Sequence, residues 1–289
     1  MSARRAAVLG HPVAHSLSPL LHRAAYRALG LDTWTYDALD VTGEQLPSVL
    51  AGLDDSWAGL SLTMPLKQTV LPLLDHVEPL AQVLGVVNTV LVQGGRARTL
   101  VGANTDVHGI VAALATRDIR RGVVLGGGAT AASALAALAE LGCTTATVLV
   151  RSLGRTGPLL RAAHRLGVEP RVLAIETGER LVDAVVDADV VISTLPPRAA
   201  DPIAALLDGR HATRAAGSLG LLLDCAYDPR PTALAAAWSG GRGSLVGGEQ
   251  MLLQQAGEQV RLMTGRPAPL EAMEVALMEA LGAPRRDLP

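Results

Sequence analysis

The sequence predicts an α/β fold with two domains, and three observations favour it. Over residues 1–103, short apolar or β-branched runs alternate with stretches of helical character. A second alternating series begins at Gly122, where the apolar runs are typical of the strands of a parallel sheet. A length of 289 residues also fits two domains, at a typical size of about 150 residues each.

The first series predicts five strands, and a helix follows them from about Asp106 to Leu114. The predicted strands are Ala6–Leu9, Trp34–Leu39, Trp57–Leu62, Val86–Val92 and Arg98–Val101.

The second series predicts four strands separated by helical segments, the first of which is rich in Ala and Leu and reaches about Leu141. These strands are Val123–Leu125, Ala146–Val150, Val190–Ser193 and Leu221–Leu223. After Gly248 the pattern is helical, with a stop at Gly265 and a last helix over Leu270–Leu281.

The composition excludes several classes of function. With 25 basic and 27 acidic residues the net charge is −2, so the chain has no excess of positive charge for a nucleic acid or an anionic membrane. Only six residues are aromatic (three Trp, three Tyr and no Phe), too few to stack on bases or to anchor a protein partner. A small molecule is therefore the expected ligand.

Metal chemistry and export are also disfavoured. Cys143 and Cys225 lie far apart and form neither a disulfide framework nor a CxxC metal pair. His11 and His15 have the spacing of a helical metal pair, but Pro12 argues against a helix there. The sequence contains no HExxH, GxSxG or P-loop motif. We expect a cytoplasmic protein without a metal site.

A glycine-rich segment after the strand Val123–Leu125 predicts a dinucleotide site. Gly126, Gly127, Gly128, Ala129, Thr130 and Ala131 read as GxGxxA between a strand and a helix. The first glycine allows the tight turn, the second admits a pyrophosphate, and the small last residue lets the helix pack on the sheet. The alternative is a glycine-rich turn that binds no ligand.

The end of the next strand indicates which dinucleotide binds. An NAD enzyme usually places an acidic residue there for the ribose hydroxyls. This chain has Arg151 and Ser152, with Arg155 nearby, and a guanidinium is a planar donor for a 2′-phosphate. The sequence therefore predicts NADP, unless these arginines are simply solvated residues of an Arg-rich loop.

Polar residues follow the predicted strands of the first series, where α/β sheets collect their ligands. They include Ser16, Ser18, Thr63, Asn88 and the run Asn104-Thr105-Asp106. For Ser18, Thr63 and Asn104 an alternative role is helix N-capping, which needs no ligand.

Lys67 and Asp106 are the candidate proton-transfer pair. Lys67 is the only lysine among 25 basic residues, and an amine, unlike a guanidinium, can release its proton. We expect Lys67 in the first turn of a helix, where the peptide dipole disfavours a cation. Asp106 is the natural counterpart, although an acid in a first turn is also favoured without any ligand.

Eight blocks of the sequence resemble the signature motifs of the shikimate dehydrogenase family, in the family's order along nearly the whole chain. They are Gly10-x-Pro12-x-x-His15-Ser16-x-Ser18-Pro19, Thr63-x-Pro65-x-Lys67, Asn88-Thr89, Asn104-Thr105-Asp106, Gly126–Ala131, Arg151-Ser152, Asp224–Pro229 and Gly248–Ala256. The chain departs from the pattern at Ser61, Val107, Ala129 and Val150, where the family often has Asn, Gly, Gly and Asn.

The resemblance implies roles for individual residues. Lys67 and Asp106 would be the catalytic pair. The substrate would be held by this pair together with Ser16, Ser18, Thr63, Asn88, Tyr227 and Gln255. The NADP-binding residues would be Gly126, Gly127, Gly128, Ala129, Thr130, Arg151, Ser152 and Arg155, with Cys225 and Gly248 near the nicotinamide.

The resemblance also implies an activity and a domain arrangement. The activity would be reversible, NADPH-dependent reduction of 3-dehydroshikimate to shikimate, with quinate or an aminated analogue as alternative substrates. Residues 1–103 would form a substrate-binding domain completed by helices from 245–289, and residues 104–244 a Rossmann-like NADP domain. A non-catalytic sensor of the same ligands is the alternative from another class, and a homodimer is left open.

Overall fold

The computed structural model describes residues 3–94, 98–116, 119–175, 179–211 and 219–282. The chain divides into two compact units. The first contains the residues up to Gly109 and those from Leu252 onward, and the second contains Ile110–Met251. Both borders fall inside helices, and both lie a few residues beyond the borders expected from the sequence.

The first unit is an α/β structure. Its strands are β1 (Arg4–Gly10), β2 (Trp34–Asp40), β3 (Trp57–Leu62), β4 (His76–Val77), β5 (Thr89–Gln93) and β6 (Thr99–Ala103). Its helices are α1 (Ser18–Ala28), α2 (Leu46–Ala51), α3 (Leu66–Thr69), α4 (Pro79–Leu84), the start of α5 (Asp106–Leu114), most of α11 (Gly248–Thr264) and α12 (Leu270–Leu281).

The strands of this unit form a mixed sheet in the order β2-β1-β3-β5-β6-β4. β1 pairs in parallel with β2 and β3, whereas β5 is antiparallel to both β3 and β6. Buried aliphatic side chains cover one face, among them Leu9, Leu60 and Val90. Leu21 of α1, Leu253 and Val260 of α11 and Leu277 of α12 form a separate apolar cluster. The C-terminal helices are thus part of the core of the first unit.

The second unit is a parallel sheet with helices in the connections. Its strands are β7 (Gly122–Leu125), β8 (Thr147–Val150), β9 (Arg171–Ala174), β10 (Val190–Ser193), β11 (Leu221–Asp224) and β12 (Ser244–Gly247). Its helices are α6 (Ala129–Glu140), α7 (Gly157–Leu166), α8 (Glu179–Val186), α9 (Asp201–His211) and α10 (Ala233–Gly240).

The strand order of the second unit is β12-β11-β10-β7-β8-β9, and every pairing in it is parallel. Counted from β7, this is the doubly wound 3-2-1-4-5-6 order of a Rossmann fold. The order reverses between β7 and β10, and ligands of such sheets bind at that crevice. Leu125, Val191 and Leu222 belong to its core, and Trp238 of α10 is fully buried there.

The predicted α/β fold is confirmed, and all nine predicted strands are present. Val86–Val92 was placed too early, because the strand begins at Thr89. The helices predicted over Asp106–Leu114 and Leu270–Leu281 have those bounds. The sequence did not predict β4, β9 and β12, which all lie at sheet edges. β4 has only two residues, and β9 and β12 are mostly half-exposed and each include a polar or charged residue, so these segments lack the continuous apolar run of a central strand.

Among the described residues, no helix combines the length and the apolar character that crossing a membrane requires.

Gly59 lies in the middle of the first sheet, where β3 meets β5 and α11. A Cβ atom there would lie 2.7 Å from the Val90 carbonyl oxygen and 3.0 Å from the Met263 side chain. We predict that Gly59→Ala lowers the free energy of unfolding by about 1–3 kcal/mol, because β5 must shift. Chemical denaturation followed by circular dichroism measures this change.

Gly52→Ala is the matched control. Gly52 has φ −82° and ψ −1° at the end of α2, and the nearest atom to an added Cβ is 3.5 Å away. Alanine adopts that conformation freely, so this variant should change the free energy of unfolding by less than about 1 kcal/mol. Equal stability of the two variants would contradict the close approach at Gly59.

Candidate functional site

Strand direction brings polar residues to one edge of the sheet in the first unit. β1 and β3 are parallel and end at this edge. β5 is antiparallel to β3 and begins there, with Ser61 opposite Thr89. β6 is antiparallel to β5 and ends there, with Thr89 opposite Ala103. The segments after β3 and β6 and the segment before β5 therefore meet, as the polar residues at strand ends predicted.

The centre of this edge is the carboxylate of Asp106, the first residue of α5. Lys67 Nζ donates to Asp106 Oδ2 at 2.6 Å, and Asn88 Nδ2 donates to Oδ1 at 2.8 Å. The Lys67 and Asp106 side chains are 15% and 4% exposed, so water screens the pair little. The structure thus brings together an amine that can carry a proton and a carboxylate that orients it.

Lys67 is held by the backbone of a very short helix. α3 spans only Leu66–Thr69, and its first residue, Leu66, is fully buried. The Lys67 carbonyl oxygen accepts a hydrogen bond from the Val87 amide at 2.8 Å. Lys67 is the second residue of this helix and so lies in its first turn, as the sequence predicted, while the effect of the peptide dipole on the amine stays a prediction. The carboxylate of Asp106 lies 2.6 Å from the amine.

Asn104 has the capping role that the sequence left open. Its Oδ1 accepts from the Val107 amide at 3.2 Å, and its Nδ2 donates to the Val86 carbonyl oxygen at 3.1 Å. The side chain therefore caps the first turn of α5 and ties that turn to the segment before β5. No side-chain cap is formed at the start of α1 by Ser18 or at the start of α3 by Thr63.

The other predicted polar residues lie at the ends of β1 and β3. Ser16 is half-buried in the loop after β1, and its Oγ accepts from the Ser18 amide at 3.3 Å. Ser18 is buried at the first position of α1. Thr63 directly follows β3, where its amide donates to the Leu9 carbonyl oxygen at 2.9 Å.

Gln255 of α11 is hydrogen-bonded within the same group. Its Oε1 accepts from Asn88 Nδ2 at 3.3 Å and from Thr105 Oγ1 at 3.5 Å, while its Nε2 donates to the Leu252 carbonyl oxygen at 3.0 Å. These contacts bring Gln255, Asn88, Lys67 and Asp106 together in one cluster, within a single unit.

The sequence reasoning missed four buried polar residues behind this cluster. They are His22 of α1, Tyr36 of β2, Ser61 of β3 and Gln259 of α11. One signal was present: Gln259 follows Gln255 by one helical turn, so both lie on the same face of α11. Ser61 was noted as a departure from the family pattern. Its hydroxyl accepts from Tyr36 and donates to Gln259, so its hydrogen-bonding capacity is used inside the protein.

Burial keeps His22 and Tyr36 neutral. Burial lowers the pKa of His22 to about 3, against which its hydrogen bond to Gln259 acts only weakly. Burial also raises the pKa of the Tyr36 hydroxyl well above its usual range, although hydrogen bonds with Ser61 and Ser18 oppose the shift. The two rings stack with centroids 3.9 Å apart.

In the second unit the glycine-rich segment forms the turn between β7 and α6. Gly126 has φ +115°, a conformation that side chains rarely adopt, and a Cβ there would lie 2.4 Å from Thr194 Oγ1. Gly128 has open space where a Cβ would project, and no side chain caps the first turn of α6. The backbone at this helix start is therefore accessible to an anion, as a dinucleotide site requires.

A cavity of about 510 Å³ adjoins this turn. It is lined by Gly127, Gly128, Val150, Arg151, Ser152, Arg155 and Thr156. Arg151 and Arg155 are exposed, so their guanidinium groups are available to an anionic ligand. Val150 fills the space where a Cβ on Gly127 would project, 2.9 Å from its Cγ1. These residues fit the phosphate groups of a dinucleotide.

The segments that follow the neighbouring parallel strands β11 and β12 of the same unit lie close together. A Cβ on Gly248 would lie 2.4 Å from the Cys225 carbonyl oxygen, and Cys225 Sγ lies 3.5 Å from Met251 Sδ. Burial raises the pKa of Asp224, while a hydrogen bond from Thr232 opposes the shift. Tyr227 is half-buried in the second unit, whereas Lys67 and Asp106 belong to the first. Its contact with a substrate held by that pair therefore stays a prediction.

Within the described ranges, no group of three or more His, Cys, Asp or Glu side chains is arranged to hold a metal ion.

Comparison with known proteins gives consistent matches. A family model described as the shikimate dehydrogenase substrate binding domain matches residues 8–90, and one described as the shikimate 5'-dehydrogenase C-terminal domain matches residues 248–278. The chain is 34% identical to the shikimate dehydrogenase (NADP(+)) of Methanothermobacter thermautotrophicus over 285 residues, which cover 95% of each protein.

Solved structures show the same fold. Shikimate dehydrogenase from Mycobacterium tuberculosis aligns with a TM-score of 0.85 and 41% identity, over 96% of this chain and 99% of that one. Shikimate 5-dehydrogenase from Thermus thermophilus, in complex with NADP(H) and shikimate, aligns with a TM-score of 0.79 and 32% identity, over 96% and 99%. The similarity extends over both units.

The buried His22 makes the stability of the first unit depend on pH. The unfolded chain binds a proton on this imidazole below about pH 6.5, whereas the folded chain binds it only near pH 3. The unfolded state thus holds more protons in this window, so stability falls as the pH falls, by about 1.4 kcal/mol per pH unit. We predict that His22→Gln, which keeps an N–H donor, removes the contribution of His22 to the change of the free energy of unfolding between pH 6 and pH 4. Urea unfolding at a series of pH values measures it.

His76→Gln is the matched control, because His76 is an exposed histidine of the same unit. This variant should keep the pH slope of the parent protein. A His22→Gln protein with the full parental slope would show that His22 is accessible to protons in the folded state.

Proposed function

Since this chain belongs to the shikimate dehydrogenase family, we propose that it catalyses the reversible, NADP-dependent interconversion of 3-dehydroshikimate and shikimate. The observation that carries the proposal is the shielded Lys67–Asp106 pair, anchored by Asn88 at the sheet edge of the first unit. The same chain contains a Rossmann sheet with an open glycine turn. A proton-transfer pair and a dinucleotide site are together what a reaction of this class needs.

The cofactor would be held by backbone and side chains of the second unit. The turn Gly126–Thr130 would bind the pyrophosphate, and Arg151, Ser152 and Arg155 the 2′-phosphate of NADP. The close backbones of Cys225 and Gly248 would border the nicotinamide. When bound, NADPH supplies the hydride and NADP⁺ accepts it in the reverse direction.

Lys67 would move the proton. Reduction of the ring carbonyl leaves an oxygen that needs a proton, and Lys67 Nζ would donate it; in the oxidation the same amine would accept it. Arginine would hold the charge but not exchange the proton, which gives a reason for the single lysine of the chain at this position.

Asp106 would orient the amine and bind a neighbouring hydroxyl group. Asn88 fixes Asp106 Oδ1, so Oδ2 is directed at Lys67. Ser16, Ser18, Thr63, Gln255 and Tyr227 would complete the substrate site by binding the carboxylate and the remaining hydroxyl groups. Hydroxyl and amide groups are suited to a polyol acid because they both donate and accept hydrogen bonds.

We further propose that the protein has a cytoplasmic location, which the free thiols of Cys143 and Cys225 support. We propose no nucleic-acid partner, because the net charge is only −2. A homodimer is the assembly to be tested, by sedimentation.

The proposed role of Lys67 predicts a loss of turnover in two variants. Lys67→Ala and Lys67→Arg should both lower kcat for shikimate oxidation by about 100- to 10,000-fold, because neither can accept the proton at this position. Initial rates of NADPH formation, read at 340 nm, measure the loss. Quinate in place of shikimate, with each nicotinamide cofactor, establishes the preferred substrate in the same assay.

NADPH binding is the control for these variants and is read by fluorescence titration. It should be unchanged, because Lys67 lies in the first unit and the proposed cofactor residues in the second. Near-parental turnover of Lys67→Arg would contradict the proton-transfer role. An inactive parent protein would instead favour the alternative function, a non-catalytic sensor that binds the same ligands.

The cavity beside the glycine turn predicts the cofactor preference. Arg151→Ala should raise KM for NADP⁺ about 10- to 100-fold and leave KM for NAD⁺ nearly unchanged, since only NADP⁺ has the phosphate that this guanidinium would bind. Arg161→Ala, which removes an exposed arginine of α7 outside that cavity, is the matched control. Equal effects on both cofactors would contradict the assignment.

A further inference from the structure

The side-chain amide of Gln259 connects the core of the first unit to the Lys67–Asp106 pair. Gln259 is 1% exposed and lies on α11, one turn after Gln255. Its Oε1 accepts from Ser61 Oγ at 2.8 Å and from His22 Nε2 at 3.2 Å. Its Nε2 donates to Thr89 Oγ1 at 3.0 Å and to the Asn88 carbonyl oxygen at 3.4 Å. All four hydrogen-bonding positions of the amide are used.

The orientation of this amide is set from the core side. Burial lowers the pKa of His22 to about 3, so the ring is neutral, and it donates to Gln259 Oε1 in the tautomer that carries the proton on Nε2. Tyr36 donates to Ser61 Oγ at 2.6 Å, so the Ser61 hydroxyl donates onward to the same oxygen. The Ser61 hydroxyl therefore determines which end of the amide is the oxygen, and the NH₂ group points at β5.

The orientation of the Gln259 amide influences that of Asp106 through Thr89 and Asn88. Thr89 Oγ1 accepts from Gln259, so its own proton goes to Asn88 Oδ1, at 3.0 Å. Asn88 Oδ1 also accepts from the Thr105 amide at 2.8 Å. With its oxygen end fixed, Asn88 presents its NH₂ group to Asp106 Oδ1 at 2.8 Å, which leaves Oδ2 for Lys67. The bonds from Gln259 through Thr89 and Asn88 all donate toward Asp106, and Lys67 donates to the same carboxylate from its other side.

We propose that Gln259 is a positioning residue for the Lys67–Asp106 pair, acting through Thr89 and Asn88. It touches neither the amine nor the carboxylate. Through Thr89, and together with the Thr105 amide, it holds Asn88 in the orientation that directs Asp106 Oδ2 at Lys67. This inference rests on the proposed function for its effect on turnover, but its effect on the amine does not depend on any substrate.

Two variants of Gln259 separate orientation from packing. Gln259→Glu keeps the shape but replaces the NH₂ group, which donates to both Thr89 and the Asn88 carbonyl oxygen, by an oxygen that carries at most one proton. Gln259→Met keeps similar volume and removes every polar contact. Gln254→Met is the matched control, because Gln254 is a half-buried glutamine of the same helix outside this series of hydrogen bonds.

The first measurement is steady-state kinetics with shikimate and NADP⁺. We expect kcat to fall about 10- to 100-fold in both Gln259 variants, which is the scale of a small misplacement of catalytic groups, with KM for NADP⁺ unchanged. The pH profile of kcat should also move relative to the parent protein. Gln254→Met should keep the parental kcat and pH profile.

The second measurement needs no catalysis. Lys67 is the only lysine, so acetylation of the folded protein by trace acetic anhydride, read by mass spectrometry, reports this amine separately from the N-terminus. Both Gln259 variants should acetylate Lys67 severalfold faster, because a less firmly held Asp106 shields the amine less. Urea unfolding of each variant identifies any that is not folded.

Parental acetylation rates in folded Gln259→Glu and Gln259→Met would overturn the positioning role, whatever the kinetics. Parental kcat with faster acetylation would overturn its importance for the reaction. An inactive parent protein with faster acetylation in the variants would remove the proposed function and leave the link between Gln259 and Lys67 standing.

Discussion

The hydrogen bond from Asn88 Nδ2 to Asp106 Oδ1 is the interaction on which the geometry of the first unit's site depends. A carboxylate with one oxygen fixed has only one direction left for the other, and Lys67 Nζ occupies that direction at 2.6 Å. The bond exists because β5 runs opposite to β3 and β6, which places the start of β5 beside the start of α5. Strand direction thus determines where the carboxylate and the amine meet.

The candidate dinucleotide site of the second unit is formed mainly by backbone groups rather than by side chains. The parallel sheet of this unit reverses order between β7 and β10, and in the turn after β7 Thr194 and Val150 leave no room for a Cβ at Gly126 and Gly127. An exposed backbone turn suits phosphate groups that are common to many dinucleotides, whereas exposed arginines nearby can distinguish between them. In the proposed function, the turn after β7 would bind the phosphate groups and the arginines after β8 would distinguish NADP from NAD.

Most of the fold was predictable, because central strands and amphipathic helices carry strong periodic patterns. The edge strands β4, β9 and β12 were not, since half-exposed strands lack such a pattern. For the site, Lys67 could be singled out by its uniqueness and Asp106 by its place after β6. Gln259 could have been suspected only from its position one turn after Gln255, and its hydrogen bonds with Ser61 and His22 could not be predicted, because they join residues 198 and 237 positions apart. Contacts between residues so distant in the chain leave no local signal in the sequence.

The participation of α11 and α12 in the core of the first unit has a consequence for synthesis on the ribosome. His22 and Ser61 find their partner Gln259 only after the whole of the second unit has been translated. The second unit is one continuous stretch, so its strands have all emerged before the first unit can be completed. Until then, His22 and Ser61 lack the hydrogen-bonding partner that they have in the folded structure. Residues of α1 and β3 are accordingly made before the second unit but reach their native environment only after it.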